Sequence, residues 1–175
     1  MAINGVIIRR IAVSDAARYR EFLRRIQQET NLVPVAVEET EWTVALWQLT
    51  IASILEQPQD QCWVATNGQQ IIGAARLVSA PEPGLQHIGE LSIAVVQDYW
   101  HQSIGTQLMT ELIDAVQQAA MPRRLELTVQ ARNTHAIALY RQFGFTVEAE
   151  LTAGYQEPQL GWLPVLQMVQ LINIG

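Results

Sequence analysis

The stretch Glu90 to Gln118, ELSIAVVQDYWHQSIGTQLMTELIDAVQQ, carries the pattern with the plainest chemical use. An alternating β-branched run (Leu91, Ile93, Val95) passes into a short polar segment with one glycine, Gly105. Apolar residues at helical spacing follow, at Leu108, Leu112, Ile113 and Val116. This periodicity predicts a strand, a turn and a helix in succession. A turn feeding a helix start exposes unpaired backbone N–H groups at the positive end of the helix dipole, so the chemistry on offer is anion binding, phosphate above all. His101 either points outward or brings an imidazolium toward such an anion. Ser103 can donate its hydroxyl to phosphate or cap the helix.

Other reactive residues are few. Cys62 is the single cysteine, so no intramolecular disulfide and no cysteine-based metal motif exists, and no metal is expected. Its apolar neighbours Trp63 and Val64 predict a buried, inert thiol. The 11 basic side chains are all arginine and the formal net charge is -6, which argues against a broad basic footprint for nucleic acid or anionic lipid and suits a cationic partner such as an amine. The first residues, MAINGVIIRR, lack a signal-peptide pattern, and no apolar run reaches membrane-spanning length, so the expectation is a soluble cytoplasmic protein.

The elements that must hold the turn follow from hydrophobic periodicity along 175 residues, with 49% hydrophobic content and no linker or repeat, as suits one domain over 1–175. Gly5 to Val13 reads as a short strand, Ser14-Asp15 as a helix cap, and Ala16 to Gln28 as a helix burying Tyr19, Phe22, Leu23 and Ile26. A loop through Pro34 follows, from Asn31 to Val37. A second helix is expected from Glu41 to Leu55, with Trp42, Leu46, Leu49 and Ile54 on its core stripe. Gln61 to Thr66 and Gln69 to Ser79 form a hairpin whose Asn67-Gly68 pair suits a type I′ turn. After a loop at Ala80 to Gln86, the strand His87 to Val96 enters the opening stretch, whose helix ends at Met121-Pro122. Arg124 to Gln130 alternates as a strand, Thr134 to Phe143 reads as a helix stopped by Gly144, and Phe145 to Leu151 makes a strand. Thr152 to Gly161 reads as a polar loop and Val165 to Ile174 as a last strand. The order predicts an α/β (α+β) fold with a mixed, mostly antiparallel sheet of six or seven strands and about four helices.

Two segments resemble motifs of the GNAT superfamily of N-acetyltransferases. The first is the opening stretch, similar to the acetyl-coenzyme A binding motif. The second is LTVQARNTHAIALYRQFGF, Leu127 to Phe145, with Asn133, Ala136, Tyr140, Gly144 and Phe145 in the expected places. With the hairpin, the resemblance spans nearly the whole chain. It implies that acetyl-CoA is the cosubstrate, cradled by His101, Gln102, Ser103, Ile104, Gly105 and Thr106. Asn133 would fix the pantetheine or the loop after its strand, and the backbone of Ile93, Ala94 and Val95 would pair with the pantetheine and donate an N–H to the oxyanion. The family has Arg or Gln at the position of Trp100 and glycines where His101 and Ser103 stand. The resemblance leaves Arg132, Arg123 and Arg141 as charges that the fold could bring to the phosphates.

By the same resemblance, Tyr140 is the general acid that reprotonates the leaving sulfur, and Glu90 is the candidate base, provided that the strand face it shares with Ser92 and Ala94 lines the cleft. Peptide N-terminal acetylases of the superfamily often carry a glutamate where this chain has Thr128, and the common Tyr-x-Asp before the last strand is replaced by Trp162, Leu163 and Pro164. The expected activity is direct acetyl transfer from coenzyme A to a primary amine of a small molecule or peptide. The alternative is a weak or inactive coenzyme A sensor or interaction module. The first helices and the loops at Pro81 to Gln86 and Thr152 to Gly161 are expected to shape the acceptor pocket, and an exposed final strand could pair with a second subunit to make a homodimer.

Overall fold

The computed structural model describes residues 5–173. Ile174, the expected end of the last strand, and the first four residues of the segment read for a leader lie outside the described residues. The chain runs β1 (Val6–Arg10), a 3₁₀ turn, α1 (Ala16–Glu29), α2 (Val37–Glu41), α3 (Val44–Glu56), β2 (Gln61–Asn67), β3 (Gln70–Ser79) and β4 (Ile88–Val95), then a second 3₁₀ turn, α4 (Ile104–Ala119), β5 (Arg124–Gln130), α5 (Thr134–Gln142), β6 (Thr146–Glu157) and β7 (Gly161–Leu171). The seven strands form one sheet in the order β1-β2-β3-β4-β5-β7-β6. Only β4 and β5 pair in parallel; the remaining contacts are antiparallel, as expected.

Each sheet face carries its own apolar layer. Leu108, Met109, Leu112 and Val116 of α4 pack with Ile72, Leu77, Leu91 and Leu127, while Tyr19, Phe22, Ile26, Trp47 and Ile51 pack with Val64, Ile71 and Ala74 on the other face. In the second layer the Tyr19 ring meets Trp47 edge-on at 4.9 Å, and the Trp47 indole donates to the Glu39 carbonyl at 3.0 Å. That bond ties α3 to α2.

Several local expectations are corrected. Asp15 makes no side-chain cap on α1. Instead its buried carboxylate accepts from both ends of the Arg9 guanidinium at 2.7 and 2.9 Å, from Arg18 at 2.6 Å and from the Ala12 N–H, and the Arg9 hydrogen bonds hold its pKa below the usual carboxylate range. The second helix splits into α2 and α3: Trp42 is extended between them, and Thr43 caps α3 by accepting from the Leu46 N–H at 3.1 Å. Its buried face is Trp47, Ile51 and Ile54, whereas Leu46 and Leu49 are exposed. Apolar residues run nearly all round this helix, so periodicity could not choose the face. The β2–β3 hairpin closes with Gly68-Gln69, and among its described residues only Gly68 takes a positive φ, of 57°. That is the type II′ arrangement rather than the type I′ turn expected.

The largest correction is at the end of the chain. Thr152 to Gly161 is not a loop: β6 continues to Glu157 and returns through a tight turn into β7. The buried Glu157 carboxylate closes that turn by accepting from the N–H groups of Gln159 and Leu160 at 2.7 and 2.6 Å. Irregular pairing between Leu151 and Tyr155 absorbs Ala153, at φ 53°. The first half of β6 matches the strand expected at Phe145 to Leu151; its continuation escaped the sequence reading because an edge strand exposed along nearly all its length has no buried side to impose alternation. The final strand is also not an edge, since β7 lies between β5 and β6. The reason given for a homodimer therefore fails, and the sheet edges are β1 and β6.

Candidate functional site

The site starts from a break in the sheet. β4 pairs with β5 only from Ile88–Glu90 to Arg124–Glu126, and beyond Glu90 the strands part. Which backbone groups this exposes follows from the β3–β4 ladder. The Val96 N–H donates to the Ile72 carbonyl and the Ala80 N–H to the Ile88 carbonyl, so even-numbered β4 residues direct their backbone groups to β3. By alternation Leu91, Ile93 and Val95 direct theirs into the gap. The backbone groups of Ile93 and Val95 are thus turned to the gap, whereas Ala94 directs its own to β3.

One cavity, of about 540 Å³, opens from this gap toward the start of α4. All of His101, Gln102, Ser103, Ile104, Gly105, Thr106 and Asn133 line it, together with the ends of Ile93, Ala94 and Val95. The first intrahelical backbone bond at this end runs from the Gln107 N–H to the Ser103 carbonyl, which leaves the Ile104, Gly105 and Thr106 N–H groups to serve an anion. A Cβ on Gly105 would sit 3.2 Å from Leu139 of α5, so glycine lets the two helices close on the mouth. Asn133 caps α5 by accepting from the Ala136 N–H at 3.2 Å while lining the cavity. Arg132 lines the same cavity, while Arg123 bonds to the Asn173 carbonyl and Arg141 lines neither cavity.

The altered turn keeps the backbone that glycines would adopt. His101 and Ser103 lie at φ 62° and 60°, left-handed values that cost an L residue roughly 1–2 kcal/mol each. Ser103 makes no side-chain cap, so its hydroxyl is left for a ligand. His101 packs edge-on against His135 of α5, 4.6 Å between ring centroids, and both rings border the cavity. Trp100 donates its indole N–H to the Val95 carbonyl at 2.6 Å, pinning the turn to the end of β4 in place of the family's Arg or Gln. Because the backbone is already in place, replacing both residues by glycine removes side-chain donors and restores nothing. We expect the His101→Gly, Ser103→Gly double variant to bind coenzyme A roughly tenfold more weakly by calorimetry, the worth of one or two hydrogen bonds. Tighter binding would show that the side chains only obstruct.

A second cavity, of about 280 Å³, meets the first along Leu32, Val33, Ile93, Ala94, Asn133 and Ala136. Glu90, Ser92 and Thr128 line it, so the β4 face in question does face the cleft. Glu90 is exposed and has no ion-pair partner among the described residues. Tyr140 also lines it, its ring buried against Phe145 and its hydroxyl without a hydrogen-bond partner among the described residues. Burial pushes its pKa above the ordinary phenol value of about 10. Burial likewise pushes the Cys62 thiol up to about 12, which keeps it inert at neutral pH as expected.

The walls of this cavity come from α1 (Tyr19, Phe22, Leu23) and the segment Leu32 to Ala36; neither the Pro81 to Gln86 loop nor Thr152 to Gly161 lines it. The segment is held at its root by Asn31, whose carbonyl accepts from Gln130, whose side-chain oxygen accepts from Arg132, and whose amide donates to Glu157. Sequence reasoning missed Arg76, Glu39, His135 and this Asn31 anchor. A signal existed for Arg76: it is the one charge within the apolar run Ile71 to Val78. Among the described residues no cluster of three or more His, Cys, Asp or Glu could hold a metal, and no helix is long and apolar enough to cross a membrane.

Comparison with known proteins adds to this geometry. Residues 20–145 match the family model described as Acetyltransferase (GNAT) family. An L-amino acid N-acetyltransferase, AaaT, of Escherichia coli (strain K12) is 23% identical over 145 residues, which cover 83% of this chain and 85% of that protein. Among solved structures, a GNAT-family acetyltransferase from Streptococcus pneumoniae superposes with a TM-score of 0.89 at 28% identity, covering 95% of this chain and 99% of that one. A phosphinothricin acetyltransferase (Pat) from Sinorhizobium meliloti, in complex with AcCoA, superposes at 0.77 with 22% identity over 96% and 89% of the two chains, and shows the shared fold.

Proposed function

The chain belongs to the GNAT acetyltransferase family and is an N-acetyltransferase that uses acetyl-CoA, and from that premise we propose that it moves the acetyl group directly to the primary amine of a small molecule or peptide. The observation that carries this reading is the meeting of two cavities at Ile93, which lies beyond the last β4–β5 pair, with Tyr140 in the lining of the smaller cavity. Acetyl-CoA supplies an acyl group activated as a thioester. The α4 N-terminus and Ser103 suit its phosphates, and Asn133 with the edge of β4 suits its pantetheine arm.

The chain's own residues then have distinct tasks. The Ile93 N–H donates to the charge that develops on the carbonyl oxygen as the amine nitrogen forms its bond to carbon. Tyr140 gives its proton to sulfur as the C–S bond breaks, and burial, which raises the phenol, raises the proton affinity of the departing thiolate in the same way. Glu90, reaching through water, takes the proton the amine loses. The small volume of the acceptor cavity supports a small amine or the end of a chain. The named substrate class of the E. coli relative, L-amino acids, lies within that range.

Calorimetry with acetyl-CoA, followed by thiol release against a panel of amines, tests the reading. The expected result is saturable binding and amine-dependent release. No binding at millimolar acetyl-CoA would overturn it, and binding without turnover on any amine would leave a coenzyme A sensor.

A further inference from the structure

The feature that acetyl transfer leaves unexplained is Arg76. It lies in the middle of β3, directly across from Ser92 of β4 and Cys62 of β2, on the sheet face that α1 and α2 cover. A guanidinium there is taken largely out of water and stays charged at any working pH. It has one anionic partner: Nη2 donates to Glu39 at 2.9 Å. Among the described residues its Nε and Nη1 have no hydrogen-bond partner, and neither belongs to the fully buried unpaired atoms, so these two N–H donors are left to the acceptor cavity that Arg76 lines. A single ion pair to Glu39 would anchor α2 equally well through a lysine. Free guanidinium donors are what a second, incoming carboxylate needs.

We propose that Arg76 is the carboxylate-binding residue of the acceptor site and that the acceptor is a small amino acid held as a zwitterion. This assignment rests on the acetyl-transfer reading above. The sheet register supplies the spacing: Arg76 opposes Ser92, one residue before Ile93, whose N–H faces the acyl site. An acid group on Arg76 and an amine at the acyl carbon therefore fall within the reach of one small molecule. The charges match as well, because Glu90 on the same strand face suits an ammonium group, while Glu39 leaves Arg76 room for one further anion rather than two. Tyr19, Phe22, Leu23, Val33 and Val35 supply an apolar wall for the acceptor's side chain.

An amine without the carboxylate would cover the free donors of Arg76 and leave them unsatisfied, which is the condition under which polar sites reject analogues most strongly. The test compares leucine and phenylalanine with their amides and with the decarboxylated amines isoamylamine and phenethylamine. Thiol release gives kcat/KM, and calorimetry gives binding of each compound to the protein. The expected result is a preference for the free amino acids on the order of 100-fold, seated in KM and in the calorimetric affinity, and collapsing toward one in Arg76→Gln. Arg76→Lys should recover part of it. Equal kcat/KM for amino acid and decarboxylated amine in the wild-type protein would overturn the assignment whether or not the variants fold. A preference that survives in a folded Arg76→Gln would overturn it too, by reducing Arg76 to an anchor for Glu39. If no amine of either kind supports thiol release, acetyl transfer fails as well, whereas turnover of amines without carboxylate selectivity removes only this proposal.

Discussion

Replacing Tyr140 with phenylalanine is expected to lower kcat by roughly 10²–10⁴-fold, the usual contribution of a positioned proton donor, with acetyl-CoA affinity nearly unchanged. The ring would keep its packing against Phe145, 5.9 Å between centroids. Only the hydroxyl is lost, and it holds no partner among the described residues, so stability should be little altered. The pH dependence carries a second signature. Burial raises the Tyr140 pKa, so the phenol retains its proton across the neutral and mildly alkaline range, and the wild-type rate should show no alkaline fall from this group below about pH 10. Single-turnover rates with a fixed amine, alongside calorimetric acetyl-CoA affinities, check both statements. An unchanged kcat in Tyr140→Phe would reject the acid role.

Truncating Trp47 to alanine should cost about 3–5 kcal/mol of stability, as large-to-small changes of buried aromatics do, and lower Tm by roughly 6–20 °C for a chain of this size. Trp47 is fully buried, meets Tyr19 edge-on and Trp42 at 5.0 Å, and donates its indole N–H to the Glu39 carbonyl. Its removal would open a void between α1 and α3 and release α2, which carries Glu39 to the acceptor cavity. Scanning calorimetry reads the Tm. The Trp47→Phe variant should lose less, because it keeps most of the packing and forfeits mainly the hydrogen bond. A loss below about 1 kcal/mol in Trp47→Ala would mean that the layer repacks freely.

The elements of the fold were legible wherever burial imposes a period. Arg124–Gln130 coincides with its prediction, the α1 face of Tyr19, Phe22, Leu23 and Ile26 is the one expected, and Gly144 takes the positive φ of a helix stop. The reading failed where burial does not discriminate: on α3, apolar nearly all round, and on β6, exposed almost throughout. The candidate site follows the same division. His101 to Thr106 could be named because a local strand, turn and helix pattern holds them, and Asn133, Tyr140 and Glu90 through the motifs that resemble the GNAT superfamily; all of them line the two cavities. Arg76, Glu39 and the Leu32 to Ala36 wall could not be assembled, since they come from separate segments that meet only across the sheet.

The turn at Trp100 to Gly105 shows the limit most clearly. Residue types alone suggested an anion-binding turn, because helix-start chemistry is local to a few consecutive residues, and the family resemblance pointed to glycine at positions 101 and 103. The conformation of the turn was decided by packing: the Trp100 indole on Val95, the His101 ring on His135, and Gly105 close to Leu139. These contacts to β4 and α5 hold His101 and Ser103 in left-handed conformations that their own side chains disfavour. The parting of β4 from β5 is of the same kind. Each strand's pattern announces a strand, but the point where two strands stop pairing belongs to neither pattern and is set by what packs around both.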